Sequence, residues 1–127
     1  MAKILIVDDS IVARMSLKSC LPKEEHEIAD AADGASGVAL FASFNPTVTF
    51  LDLTMPGVDG IQALKEMKQN RPEAVIVILT ADIQKRTIEI VTELGAFAVL
   101  KKPPQRQEVL TVLAQALLAA AGERHHG

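Results

Sequence analysis

The sequence has little cysteine, few aromatic residues and no long hydrophobic run. Cys20 is the only cysteine among 127 residues, which excludes an internal disulfide and fits a reducing compartment. The absence of Trp and Tyr argues against a surface that stacks on nucleic-acid bases, and the net charge of -3 gives nucleic acid no electrostatic attraction. The N-terminus MAKILIVDDS is not a signal peptide, and no run approaches the roughly 18 apolar residues of a membrane span. We therefore expect a soluble cytoplasmic protein without membrane insertion or a nucleic-acid partner.

The composition is that of a globular protein, with 49% hydrophobic and 23% charged residues. The length predicts a single domain that buries a real core. Cys20 falls in an apolar helical pattern, so we interpret it as buried filler and not as a nucleophile. The terminal segment 122–127 is predicted to be frayed. Its two adjacent histidines, His125 and His126, are more typical of a solvated terminus than of a metal site.

Short apolar runs alternate with helical patterns along the whole chain. Such alternation favours a parallel sheet covered by helices on both faces. We predict an α/β, flavodoxin-like (βα)5 sandwich of three layers with strand order 2-1-3-4-5. The predicted strands are 4–7, 26–31, 47–51, 75–79 and 97–100, and the predicted helices are 11–21, 38–44, 60–70, 83–94 and 107–121.

Three local features complete this prediction. The first helix is predicted to bury one apolar face, formed by Ile11, Val12, Met15, Leu17 and Cys20. The pair at positions 33 and 34, Asp-Gly, predicts a turn. A glycine at position 95 is placed to end the fourth helix in a left-handed conformation.

Polar side chains follow four of the five predicted strands. In a parallel sheet the carboxyl ends of the strands meet at one edge, where such folds place their ligands. Each residue alone has a simpler explanation as a helix cap, a turn residue or a solvated charge; their convergence is what indicates a site. They are Asp8 and Asp9 after strand 1, Asp52 after strand 3, Thr80 after strand 4 and Lys102 after strand 5.

Three neighbouring carboxylates repel one another and would raise each other's pKa. A divalent cation resolves this conflict, and Mg²⁺ (or Mn²⁺) on Asp9 and Asp52, with help from Asp8, keeps water ligands that a phosphate can replace. Asp52 is central and is the natural nucleophile for an aspartyl-phosphate. Lys102 would pair with the transferred phosphoryl group, and Thr80 would donate a hydrogen bond to it.

These residues and their spacing resemble the receiver domain of two-component response regulators, of the single-domain chemotaxis type. The resemblance covers residues 3–121 and implies a receiver domain at 1–121. The matching motifs are Asp8-Asp9-Ser10 followed by Arg14, Asp52 with Met55-Pro56 and Asp59-Gly60, Thr80-Ala81, Gly95-Ala96 and Lys102-Pro103.

The resemblance implies that Asp52 accepts a phosphoryl group from a sensor histidine kinase, a phosphotransfer protein or a small acyl phosphate. It adds the backbone carbonyl of Thr54 to the metal ligands and places Asp8 on the metal through water. It also implies that the domain catalyses its own phosphorylation and dephosphorylation. Thr54 and Asp82 would flank the attacking water and set the lifetime of the phosphoprotein. The output would pass to a downstream protein through the fourth helix, fifth strand and fifth helix.

Two positions depart from the family pattern. Val99 stands where the family usually has an aromatic ring that reorients, and Pro104 stands where an apolar or aromatic residue commonly follows Lys-Pro. Val99 has too few atoms for more than about 1–2 kcal/mol of differential burial. We therefore expect the fourth helix and the loop before it to carry the switch, with Phe97 as a substitute ring.

Other functions remain open at this point. A receiver without its own output would serve as a phosphate sink or relay, and Val99 mildly favours that role. An aspartate-nucleophile phosphatase would want a second Asp at position 54, which is Thr. A flavin-binding module would want a Ser/Thr/Gly-rich loop after strand 1, where the two carboxylates of this chain would repel a flavin phosphate.

Overall fold

The sheet is parallel and its strand order is β2-β1-β3-β4-β5, so the predicted flavodoxin-like fold is confirmed. The computed structural model describes residues 2–53, 59–81 and 83–126. No helix of this part of the chain is long and apolar enough to cross a membrane. The elements are β1 Ala2–Val7, α1 Ile11–Cys20, β2 His26–Ala31, α2 Gly34–Phe44, β3 Val48–Asp52, α3 Asp59–Asn70, β4 Val75–Thr80, α4 Lys85–Glu93, β5 Ala98–Lys101 and α5 Arg106–His126.

Several bounds differ from the prediction for local reasons. α2 begins at Gly34 because the side chain of Asp33 accepts a hydrogen bond from the N–H of Ser36, so this Asp-Gly pair starts a helix and does not form the predicted turn. α5 runs to His126, past the predicted end at residue 121. Gly95 has φ of 101°, the left-handed conformation predicted for it, and it follows the C-cap residue of α4, Leu94.

The core lies in two layers, one on each face of the sheet. β3 and β4 are buried along their whole length, as expected for central strands covered on both sides. One layer joins the sheet to α1 and α5 through residues such as Leu17, Val109 and Leu113. The other joins it to α2, α3 and α4 through residues such as Phe41, Leu64 and Val91.

The predicted apolar face of α1 is wrong. Ile11, Val12 and Met15 are 62%, 72% and 64% exposed, whereas Leu17 is buried. At 3.6 residues per turn, Leu17 and the partly buried Cys20 share the face toward the sheet, and Ile11 and Met15 point away from it. Cys20 packs against the first core layer without full burial.

Candidate functional site

The carboxyl edge of the sheet brings the predicted polar residues together. Asp8 directly follows β1, and Asp52 is the last residue of β3. Thr80 ends β4, where it is in register with Lys101 of β5, and its carbonyl accepts a hydrogen bond of 2.9 Å from the N–H of Lys102. The strand ends therefore deliver two carboxylates, a threonine and a lysine to one edge.

Three carboxylates form a cluster at this edge. Oxygen atoms of Asp8, Asp9 and Asp52 lie within 4.8 Å of one another. Asp8 and Asp52 are 2% and 0% exposed, whereas Asp9 is exposed to solvent. Carboxylate oxygens are the ligands that Mg²⁺ prefers, and an open side lets the ion keep its water ligands. The donor set and the access on the Asp9 side fit a divalent cation.

Lys102 bridges the two buried carboxylates. Its Nζ lies 2.9 Å from Asp8 Oδ2 and 3.2 Å from Asp52 Oδ2. Burial opposes the charge of the ammonium, but the hydrogen bond that Lys102 donates to Asp8 and the charges of Asp52 and Asp8 outweigh it and raise the pKa of Lys102. The lysine is therefore firmly protonated at neutral pH, and one ammonium group faces two carboxyl groups.

The surroundings of Asp8 shift the pKa of its carboxyl group. Burial, together with the negative charge of Asp52, raises the pKa of Asp8, although hydrogen bonds from the Ser10 N–H and from Lys102 act against the rise. The Ser10 N–H lies 2.9 Å from Asp8 Oδ1. The ionised form of Asp8 is therefore costly in the protein alone, and an added cation would favour it.

The loop after β1 is shaped by α1. Ser10 caps this helix, since its hydroxyl accepts a hydrogen bond of 3.2 Å from the N–H of Ala13. The cap fixes the start of the helix immediately after Asp8 and Asp9.

On the other side of the site, α3 packs closely against the end of β3. A Cβ at Gly60 would lie 2.7 Å from the backbone of Leu53. Gly60 thus lets α3 begin close to the residue that follows Asp52.

Some predicted residues lie outside the described part of the chain or away from the cluster. Thr54, its neighbours Met55 and Pro56, and Asp82 are outside the described residues. Val99 is half-buried and packs against the second core layer. Phe97 is 38% exposed and precedes β5.

Arg14 is a residue whose contacts the sequence pattern did not reveal. Its Nη1 donates a hydrogen bond of 2.6 Å to the backbone carbonyl of Asp8, and its Nε pairs with Asp30 at 2.8 Å. The family motif includes Arg14 but does not predict this contact. A side chain that binds a distant backbone carbonyl leaves no periodic signal in the sequence.

A groove of about 490 Å³ opens beside the cluster, between α1 and the segment after β5. Asp8 and Lys102 are among its polar lining, and Leu17, Cys20 and Pro104 are among its apolar lining. The exposed Val12 of α1 is also part of its wall. The departure at Pro104 therefore forms part of the surface next to the carboxylates.

Comparison with known proteins identifies a family and close structural relatives. The response regulator receiver domain matches residues 4–114. The chain is 37% identical to the chemotaxis protein CheY of Bacillus subtilis (strain 168) over 116 residues, which cover 91% of this chain and 97% of that protein. NtrX from Brucella abortus has a TM-score of 0.89 at 29% identity, and the match covers 98% of this chain but 29% of that one. A CheY-like receiver domain protein from Methanospirillum hungatei JF-1 has a TM-score of 0.90 at 24% identity and shows the same fold over 97% of this chain.

Proposed function

Because this chain belongs to the response regulator receiver domains, we propose that residues 1–121 accept a phosphoryl group on Asp52. The donor is the phosphohistidine of a sensor kinase or phosphotransfer protein, or a small acyl phosphate. The observation that carries the proposal is the bridge from Lys102 to both Asp8 and Asp52. It sets a cation 3.2 Å from the carboxylate that would be phosphorylated, close enough to pair with a phosphoryl group bound there. The proposed donors, together with the lone cysteine, favour a cytoplasmic location.

The proposed reaction is an in-line transfer to a carboxylate. An Asp52 oxygen attacks phosphorus, the bond from phosphorus to the donor nitrogen or acyl oxygen breaks, and the leaving group takes the electron pair. Lys102 keeps its proton and pairs with an oxygen of the transferred group. Thr80, buried at the end of β4, would donate its hydroxyl to another. These groups contribute mainly by position and charge, which is what phosphoryl transfer requires.

The proposed metal ligands are the carboxylates of Asp9 and Asp52 and the carbonyl of Thr54, with Asp8 held through water. Bound Mg²⁺ or Mn²⁺ supplies charge neutralisation for the phosphoryl oxygens. The support is the cluster of three carboxylates within 4.8 Å of one another and the raised pKa of Asp8, which comes first from its burial and also from the charge of Asp52. Thr54 and Asp82 are proposed to flank the water that later hydrolyses the aspartyl-phosphate and so to set its lifetime.

Magnesium-dependent self-phosphorylation tests this proposal. We expect acetyl phosphate to add one phosphate to the protein in the presence of Mg²⁺ and about 100-fold more slowly, or not at all, with EDTA. Intact-mass measurement suits the assay because the chain has no Trp to report by fluorescence. Equal labelling with and without Mg²⁺ would contradict the proposal. Turnover of a generic phosphate monoester would instead favour a phosphatase, and a yellow purified protein a flavin module.

We propose that phosphorylation is signalled to a downstream protein through α4, β5 and α5. Support comes from exposed apolar side chains near this surface, since Ile83 and Phe97 are 42% and 38% exposed, although Val99 provides no aromatic ring. Beryllofluoride with Mg²⁺ mimics the phosphorylated state, so backbone amide spectra should change at residues 83–97 and at Val99. Changes confined to the neighbourhood of Asp52 would contradict this route and favour a sink or relay.

A further inference from the structure

The loop that carries Asp8 and Asp9 is tied to the rest of the sheet through Arg14. The guanidinium contacts two elements at once, since Nη1 donates to the carbonyl oxygen of Asp8 at 2.6 Å and Nε donates to Asp30 Oδ2 at 2.8 Å. Asp30 lies on β2, the neighbour of β1 in the sheet. Arg14 therefore connects the end of β1 with the adjacent strand.

The contact with the Asp8 carbonyl controls the position of Asp9. A peptide unit is planar, so fixing the carbonyl oxygen of Asp8 also fixes the direction of the Asp9 N–H and the place of the Asp9 Cα. The preceding side of Asp8 is already held, because its N–H donates to the carbonyl of Ala31 at 3.1 Å. Because Asp9 is exposed, it is the position of its backbone that directs the Asp9 carboxylate toward Asp52.

Arg14 is itself firmly anchored. Asp30 pairs with Nε of Arg14 through one oxygen and with Nζ of Lys18 through the other, at 2.8 and 2.9 Å. Partial burial opposes ionisation of Asp30, but the hydrogen bonds and charges of Lys18 and Arg14 outweigh it and lower the pKa of this carboxyl. The anchor is therefore ionised at neutral pH. The planar guanidinium can present two N–H groups in fixed directions, which a lysine cannot do.

We propose that Arg14 is a positioning residue that holds Asp9 in place to bind the divalent cation, an inference that rests on the proposed metal-dependent function. If Arg14 acted only through its charge, its removal would tighten Mg²⁺ binding, because a cation near three carboxylates repels the metal ion. Loss of the backbone contact instead lets the Asp9 carboxylate move away and weakens metal binding. The direction of the change distinguishes these two roles.

Mg²⁺ titration of the Arg14→Ala variant, followed by backbone amide shifts, tests the inference. We expect Mg²⁺ affinity to fall about 10-fold, as for other groups that orient metal ligands. Lys18→Ala is the matched control, because it removes a cation from the same Asp30 without a contact to Asp8, and its affinity should stay within about twofold of wild type. Arg14→Lys keeps the charge and should still lose affinity, though less than the alanine variant. At saturating Mg²⁺ the rate of phosphorylation by acetyl phosphate should recover in both Arg14 variants.

Other results would refute either the positioning role of Arg14 or the proposed function itself. Unchanged or tighter Mg²⁺ binding by both Arg14 variants would refute the positioning role and leave the proposed function intact. An equal loss in Lys18→Ala would also refute it, because the effect would then follow the charge or stability of the α1–β2 contact. A wild-type protein that neither binds Mg²⁺ nor needs it for phosphorylation would overturn the proposed function, and the role of Arg14 with it.

Discussion

Replacing Asp52 with asparagine should abolish covalent phosphorylation by acetyl phosphate. The amide cannot act as the attacking oxygen anion, and it also removes one negative charge from the proposed metal site. We expect labelling measured by intact mass to fall by more than about 1,000-fold, as when other covalent nucleophiles are removed. The variant should still fold, because asparagine has nearly the same shape as aspartate and Lys102 keeps its ion pair with Asp8.

Asp33→Asn provides the matched control for that experiment. Asp33 is an exposed residue that caps α2, and asparagine caps helices as well as aspartate does. The same chemical change should therefore leave labelling at the wild-type level. Labelling of Asp52→Asn equal to that of wild type would refute Asp52 as the acceptor, and peptide mapping would then identify the residue that carries the phosphate.

Replacing Lys102 with methionine should strongly destabilise the protein in the absence of metal. Removing one partner of a fully buried ion pair costs about 3–5 kcal/mol. The side chain of Lys102 is 20% exposed, and Asp8 can take up a proton, so we expect a smaller loss of about 2 kcal/mol at pH 7. Urea unfolding in EDTA measures the difference, and saturating Mg²⁺ should restore part of it because the ion binds the folded state alone.

The loss on Lys102→Met should depend on pH in a defined direction. Asp8 already has a raised pKa in the folded protein, chiefly because of burial, so its folded form binds a proton more readily than its unfolded form. Stability linked to this group is fully present below its unfolded pKa and is lost as pH rises through the folded pKa. Without Lys102 this loss grows, so the gap between variant and wild type should widen from acid to neutral pH.

The neighbouring lysine provides the control for this second experiment. Lys101 is exposed at the end of β5, and Lys101→Met makes the same change in charge and size without removing the cation that bridges Asp8 and Asp52. It should cost less than about 0.5 kcal/mol. Equal losses in the two variants, or a loss on Lys102→Met that does not vary between pH 5 and pH 8, would show that Lys102 does not stabilise the buried carboxyl groups.

The fold was predictable because its signal is repeated along the chain. Buried parallel strands are apolar on both faces, and runs such as 75–79 have this character over every residue. The candidate site followed from the same pattern, since polar residues that end parallel strands meet at one edge. The position of Asp52 at the end of β3 thus needed no knowledge of side-chain contacts.

The errors and omissions concern contacts that periodicity does not encode. α1 carries apolar residues on more than one side, so their pattern could not show that Leu17 faces the sheet while Ile11 and Met15 face solvent. Asp33-Gly34 fits both a turn and a helix start, and only the hydrogen bond to the Ser36 N–H decides between them. The link from Arg14 to the Asp8 carbonyl joins a side chain to backbone across a loop.

The bridge between Lys102 and Asp8 also has a consequence for biosynthesis. The two residues are 94 positions apart, so a chain growing from its N-terminus carries Asp8 and Asp52 long before the ribosome adds their counter-ion. If strands β1 to β4 pair before Lys102 has been added, the Asp8 and Asp52 carboxylates are brought together without this lysine. Docking of β5, an edge strand, brings Lys102 to them. The two carboxylates therefore gain this lysine only after β5 and the residue that follows it have emerged from the ribosome.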